Sequence, residues 1–264
     1  MPDDTVDRDA IKARFIAERG YWRPWTEALL RHNPRFLDRY AAYAGHPARV
    51  GPLTAKQVEL IYVALDGSST HLFASGLKTH MEKALAAGAT PQEILDVLHL
   101  VAAQGLDSVY QAVSILAEER DRLAGELGAG GRQDDAAGVT PSTLVPELRA
   151  RIEQLNVPAA PPALSLMQEL DPGYLPVLLD FLEHGRPDEG LADADRALIE
   201  VALFACFTGH DRQALRQRIR AALEEGSPAA ALLQAIQLGA HLSVHGTALG
   251  ADTLAALAAQ PDQG

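Results

Sequence analysis

The chain has 264 residues, 47% of them apolar, a formal charge of −12 and a pI near 5.1. This composition supports one large core or two ordinary ones, disfavours electrostatic binding to nucleic acid or anionic membranes, and offers no apolar run that approaches bilayer length. The single cysteine, Cys206, excludes an intramolecular disulfide and dithiol chemistry within one chain. The acidic start Met1-Pro2-Asp3-Asp4 has no apolar stretch of the secretion-signal kind, so a reducing cytoplasm is the expected compartment.

Ala and Leu dominate, strand-like alternation is absent, and Gly or Pro punctuates at helix-length intervals, which makes the expected fold all-α. Helices are expected over Asp7 to Arg19, Pro24 to Arg31 and Pro34 to Ala44. Thr54 reads as the N-cap of a helix through Leu65, broken by Asp66-Gly67-Ser68-Ser69. The next runs from Leu72 to Ala87 and stops at Gly88, a residue suited to the left-handed position that ends helices. Thr90, with Pro91 behind it and Glu93 three residues on, caps a helix reaching Gln104, and another spans Leu106 to Leu127. A Gly- and charge-rich stretch over 128–140 reads as a linker, and helices follow at 192–207, 210–225, 228–239 and 242–259.

The chain also matches itself without a gap at an offset of 138 residues. Leu60-Ile61-Tyr62-Val63-Ala64-Leu65 aligns with Leu198-Ile199-Glu200-Val201-Ala202-Leu203, and 14 of the 53 positions in 53–105 and 191–243 are identical. A shared ungapped pattern implies shared core positions. The expected architecture is therefore a tandem duplicated helical bundle: 1–127 holds an N-terminal extension and a first unit, and 141–264 a second, diverged one.

The copies differ at polar positions, and function is sought there. Glu59 lies in an almost wholly apolar helix, where a carboxylate is costly unless paired and where burial tunes it for proton transfer. Phe73, Gly76, Leu77, His80 and Ala84 share one helical face, so His80 points with the apolar stripe toward Glu59. The reading is an acid–base pair, with a satisfied core histidine as the bland alternative. His71 and Thr70 add polar groups at the same end, while Lys78, Glu82 and Lys83 point elsewhere. In the second copy Glu200 falls at the Tyr62 position and Arg218 at the His80 position, so one site per chain is expected. His241 and His245, at i and i+4, have a spacing that can hold a metal, with His210 or Glu200 as a third ligand. Hydrogen bonding at a helix junction is the alternative, and no metal is assigned. His99 reads as a surface residue or a partner of the helix dipole.

The Glu-bearing apolar helix, the turn, the inward-His helix and the segment Ala84-Leu-Ala-Ala-Gly-Ala-Thr-Pro-Gln-Glu-Ile94 together resemble the carboxymuconolactone decarboxylase family, which includes the alkylhydroperoxidase D-like proteins. Most of the likeness lies in Lys56 to Gly105. The redox branch of that family carries Cys-x-x-Cys-x-x-x-His. Here the cysteine positions are Phe73 and Gly76, or Asp211 and Ala214, and only the histidine position, His80, is kept. Without a thiolate there is no peroxide nucleophile. The resemblance then implies a cofactor-independent lyase or isomerase acting on a small lactone or unsaturated carboxylic acid, with His80 and Glu59 catalytic, His71, Tyr62, Thr70 and Lys78 contacting substrate, and Glu200, Arg218 and His245 as second-copy candidates. Alternatives are a non-catalytic helical binding or scaffold protein, or a histidine-based metal-dependent lyase. The resemblance also implies a homo-oligomer, trimer or dimer.

Overall fold

A computed structural model describes residues 6–128, 144–159, 161–207, 209 and 212–259. Among these residues every regular element is helical: α1 (Arg8–Arg19), α2 (Pro24–His32), α3 (Pro34–Arg49), α4 (Ala55–Gly67), α5 (Ala74–Ala86), α6 (Pro91–Ala103), α7 (Leu106–Gly128), α8 (Pro146–Gln154), α9 (Pro161–Leu170), α10 (Tyr174–His184), α11 (Asp193–Ala205), α12 (Arg212–Glu224), α13 (Ala229–Ala240) and α14 (Val244–Ala258). A short 3-10 turn, His241–Ser243, joins the last two.

Local chemistry accounts for the boundaries. The Asp7 side chain accepts the Ala10 N–H, Asn33 accepts that of Phe36, and Thr54 with Gln57 and Thr90 with Glu93 form reciprocal capping boxes. Gly88 and Gly226 take positive φ after α5 and α12, where an L side chain would be strained. Two helices run past their expected ends. α3 continues through Pro47 to Arg49, and α4 includes Asp66 and Gly67, which composition marks as a break. The segment 144–191, for which the sequence names no element, carries α8, α9 and α10. The expected linker lies almost wholly outside the described residues.

The starts of α4, α5, α6 and α7 (55, 74, 91, 106) recur 138 positions later in α11, α12, α13 and α14 (193, 212, 229, 244). The packing crosses between the halves. α4 and α11 lie against each other at the centre, α7 packs on α9, and α14 packs on α2. Each of three buried clusters accordingly draws on both sides of 128–140: one from α4 to α6 and α11 to α13, one from α1 to α3 and α14, and one from α7 and α8 to α10. Apolar faces too wide for one partner are covered this way, with Leu60, Ile61, Val63 and Val201 fully buried.

By length and hydropathy Pro91–Glu126 would pass as a bilayer-crossing segment, contrary to the expectation from composition. The chain turns at Gln104–Gly105, however, and pairs the buried Asp96 with Arg196 and Asp107 with Arg218, while Ile115, Leu116 and Leu123 stay exposed.

Candidate active site

Glu59, Tyr62 and Asp66 stand at i, i+3 and i+7 on α4 and so share one helical face. α5 lies across that face and brings His80 to it. His80 Nδ1 lies 2.6 Å from Glu59 Oε2, with both side chains largely buried. The His80 ring packs on Tyr62, centroids 4.5 Å apart, and its Nε2 is 3.9 Å from Asp66 Oδ2. With Nδ1 committed to the carboxylate, Nε2 is left toward a cavity lined by Tyr62, Asp66, Phe73, Gly76, Arg19 and Arg23, among others. Burial holds the imidazolium form of His80 down, against the smaller upward pull of Glu59. Burial also pushes the Tyr62 phenol up to about 12 and the Asp66 carboxyl up to about 7, with Arg23 opposing the latter.

Asp66 is the residue sequence reasoning missed. It is 1% exposed, and neither carboxylate oxygen has a hydrogen-bond partner. Its spacing of seven from Glu59 was the available signal, masked by the Asp-Gly-Ser-Ser run that resembles a turn. Gly76 is what lets α5 come this close, since a Cβ there would collide with the Asp66 carboxylate and the Phe73 ring.

His71 and His245 meet beside Asp66. His71 Nε2 is 2.5 Å from His245 Nδ1 and 3.8 Å from Asp66 Oδ1, and the Phe73 ring stacks on His245 at 3.7 Å. His245 thus belongs to the first-half cavity, delivered by α14, and not to a second-half site. Burial lowers His71, and burial with the neighbouring His71 takes His245 down to about 3. His241 falls in the 3-10 turn that leads into α14, and its side chain, like His210, lies outside the described residues.

Two expected substrate contacts are not at the cavity. Lys78 is two residues from His80, hence on the opposite face of α5, and pairs in solvent with Glu82 at 2.5 Å. Thr70 is exposed and bonds Ser68. His99, expected at the surface, is buried with Nε2 on the Phe181 carbonyl and Nδ1 near Arg196. The second-copy residues lie elsewhere. Arg218 sits over the Phe204 ring at 3.5 Å, 3.5 Å from Asp107 and 4.0 Å from Glu200, at the edge of a groove of about 1010 Å³ that Tyr110 and Arg196 also line.

Residues 34–119 match the model of the carboxymuconolactone decarboxylase family. No curated protein matches the chain. Among solved structures, the chain is similar to a Burkholderia xenovorans protein described as a "putative gamma-carboxymuconolactone decarboxylase subunit", at 27% identity and a TM-score of 0.81 over 96% of this chain and 98% of that one. By sequence over residues 34–119 the chain is similar to the carboxymuconolactone decarboxylase family, and by fold over nearly its whole length it is similar to that solved structure.

Proposed function

We propose that the protein is a carbon–carbon lyase or isomerase of a small lactone or unsaturated carboxylic acid, with His80 moving the proton and Glu59 orienting it. The observation that carries this reading is the buried 2.6 Å contact between His80 Nδ1 and Glu59, which fixes the ring and leaves Nε2 toward the cavity. Loss of carbon dioxide beside a conjugated carbonyl leaves a dienolate, which needs donors at oxygen and a proton at carbon. Nε2 of His80 is the group placed to handle that proton. Arg23, held by the Thr79 hydroxyl at 2.8 Å, supplies positive charge at the cavity wall for a substrate carboxylate. The family match over residues 34–119 and the description of the solved relative support the same reading. That description names a subunit, and the apolar side chains exposed along α7 (Ile115, Leu116, Leu123) and α14 (Leu249, Leu254, Leu257) support a homo-oligomer. The matched element boundaries support a duplicated origin in which the His80 half kept the chemistry.

One observation favours the rival reading, a helical binding protein without catalysis. The cavity holds about 30 Å³, room for roughly two waters, whereas small-molecule sites commonly span ~300–1,000 Å³. Catalysis therefore requires the wall to open. The turn Ser68–Phe73 borders the cavity through Phe73 and carries the exposed Leu72 at a φ of 47°.

The test is turnover of a panel of carboxylated lactones and conjugated acids, gamma-carboxymuconolactone included, followed by loss of absorbance and release of carbon dioxide. Active wild type with His80→Gln and Glu59→Gln each slower by about 10²–10⁴ while still folded by circular dichroism is the expected result. Full activity in both variants refutes the assignment.

A further inference from the structure

The buried polar groups that the His80–Glu59 pair does not use form a cluster of their own. Among the described residues, Asp66, His71 and His245 each direct one ligand atom to a common point, with all three atoms within 4.8 Å of one another. They come from three elements: the end of α4, the turn before α5, and α14 arriving from the other half. Asp66 is 1% exposed with both oxygens lacking a hydrogen-bond partner, an arrangement that calls for a cation or a donor. The two ring nitrogens converge on each other and on that carboxylate.

We propose that Asp66, His71 and His245 bind one divalent first-row transition-metal ion. Two imidazoles and a carboxylate suit Zn²⁺, Fe²⁺ or Co²⁺ rather than Mg²⁺ or Ca²⁺, which take oxygen ligands. Bonds of about 2.0–2.2 Å place neighbouring ligand atoms roughly 3 to 3.5 Å apart. The Asp66–His71 separation of 3.8 Å needs little adjustment, and the two rings must part by somewhat under about 1 Å. Phe73 stacked on His245 fixes the orientation of that ring. Arg19 and Arg23 bring opposing positive charge to the cavity, and Glu59, paired with His80, adds a second negative charge near Asp66. His80 Nε2 is 3.9 Å from Asp66 Oδ2, so an ion held here would lie near His80, where it would polarise a carbonyl oxygen. This site differs from a His241–His245 pair, and its test does not depend on the reaction proposed above.

Metal content of the purified chain is measured by plasma mass spectrometry, and the chelated protein is titrated with Zn²⁺ by calorimetry and with Co²⁺ by visible absorption. The expected result is about one ion per chain, a Zn²⁺-dependent rise in melting temperature, and affinity lower by at least about 100-fold in Asp66→Asn and His245→Gln. His184→Gln, at an exposed histidine, keeps wild-type affinity. His71→Gln, on the turn, provides a ligand variant that leaves the helices intact should His245→Gln fail to fold. Binding weaker than about 1 mM in the wild type, or equal binding in Asp66→Asn and His71→Gln, overturns the proposal.

Discussion

Asp107 and His245 are counterparts 138 positions apart, and each is carried by its helix into the half of the molecule that does not contain it. Asp107, on α7, reaches Arg218 at 3.5 Å, and His245, on α14, reaches His71 at 2.5 Å. The exchange completes both polar sites, so neither half holds a finished site alone. The two sites then differ by a few residues: His80, Tyr62 and Asp66 on one side stand where Arg218, Glu200 and Phe204 stand on the other.

That exchange makes the second-half ion pair sensitive to one-sided change. Replacing Arg218 by Met removes the cation beside the largely buried Asp107 and over Phe204, so urea denaturation is expected to show a loss of about 2–4 kcal/mol. Adding Asp107→Asn should restore much of it. A double variant no more stable than the single one would show that the pair is not the cause.

The His80–Glu59 contact should couple the stabilities of its partners. In a cycle of His80→Gln, Glu59→Gln and the double variant, the interaction energy is expected at roughly 1–3 kcal/mol, because both groups are mostly shielded from water. Additive effects would mean the contact does not persist in solution.

Gly76 is expected to resist substitution. Gly76→Ala drives a methyl group into Asp66 and Phe73, at a cost of about 1–3 kcal/mol read from the denaturation midpoint. Combining it with Asp66→Ala should recover part of the loss. The same crowding means that restoring cysteines at 73 and 76 would not give a competent redox pair, which a peroxide-consumption assay checks.

The buried histidines should draw stability down as pH drops from about 7 to 5, against Asp66, whose carboxyl is raised to about 7 and acts with the opposite sign. Burial holds His99 below its ordinary value, so the unfolded chain takes up a proton near pH ~6.5 before the folded one does. A folded-state value that is depressed contributes stability present above the unfolded value and lost as pH falls toward the folded one. His99→Gln should therefore flatten the decline in denaturation midpoint without abolishing it, since His71 and His245 act with the same sign. An unchanged slope would remove His99 from the account.

In solution the chain is expected to be a dimer or trimer by light scattering. Leu116→Glu with Leu123→Glu, or Leu249→Glu with Leu257→Glu, should shift it toward monomer by placing charges on the exposed faces of α7 and α14. A monomeric wild type would show that these faces have no partner of the same chain.

The amino-acid order alone determined the helical class, most of the helices and their caps, though not α8, α9 and α10. These follow from neighbours within one turn: Thr54 with Gln57, Thr90 with Glu93, and apolar residues at helical spacing. It also placed His80 on the face that meets Glu59, since both positions follow from periodicity. Which polar groups stand together was decided by the tertiary structure alone. Asp66 reads as part of a turn until burial by α5 makes it a wall of the cavity. His245 joins His71 only because α14 crosses to α2, a contact between residues 174 positions apart. Local pattern encodes the face a side chain occupies, whereas the partner across that face depends on how distant helices share the work of excluding water.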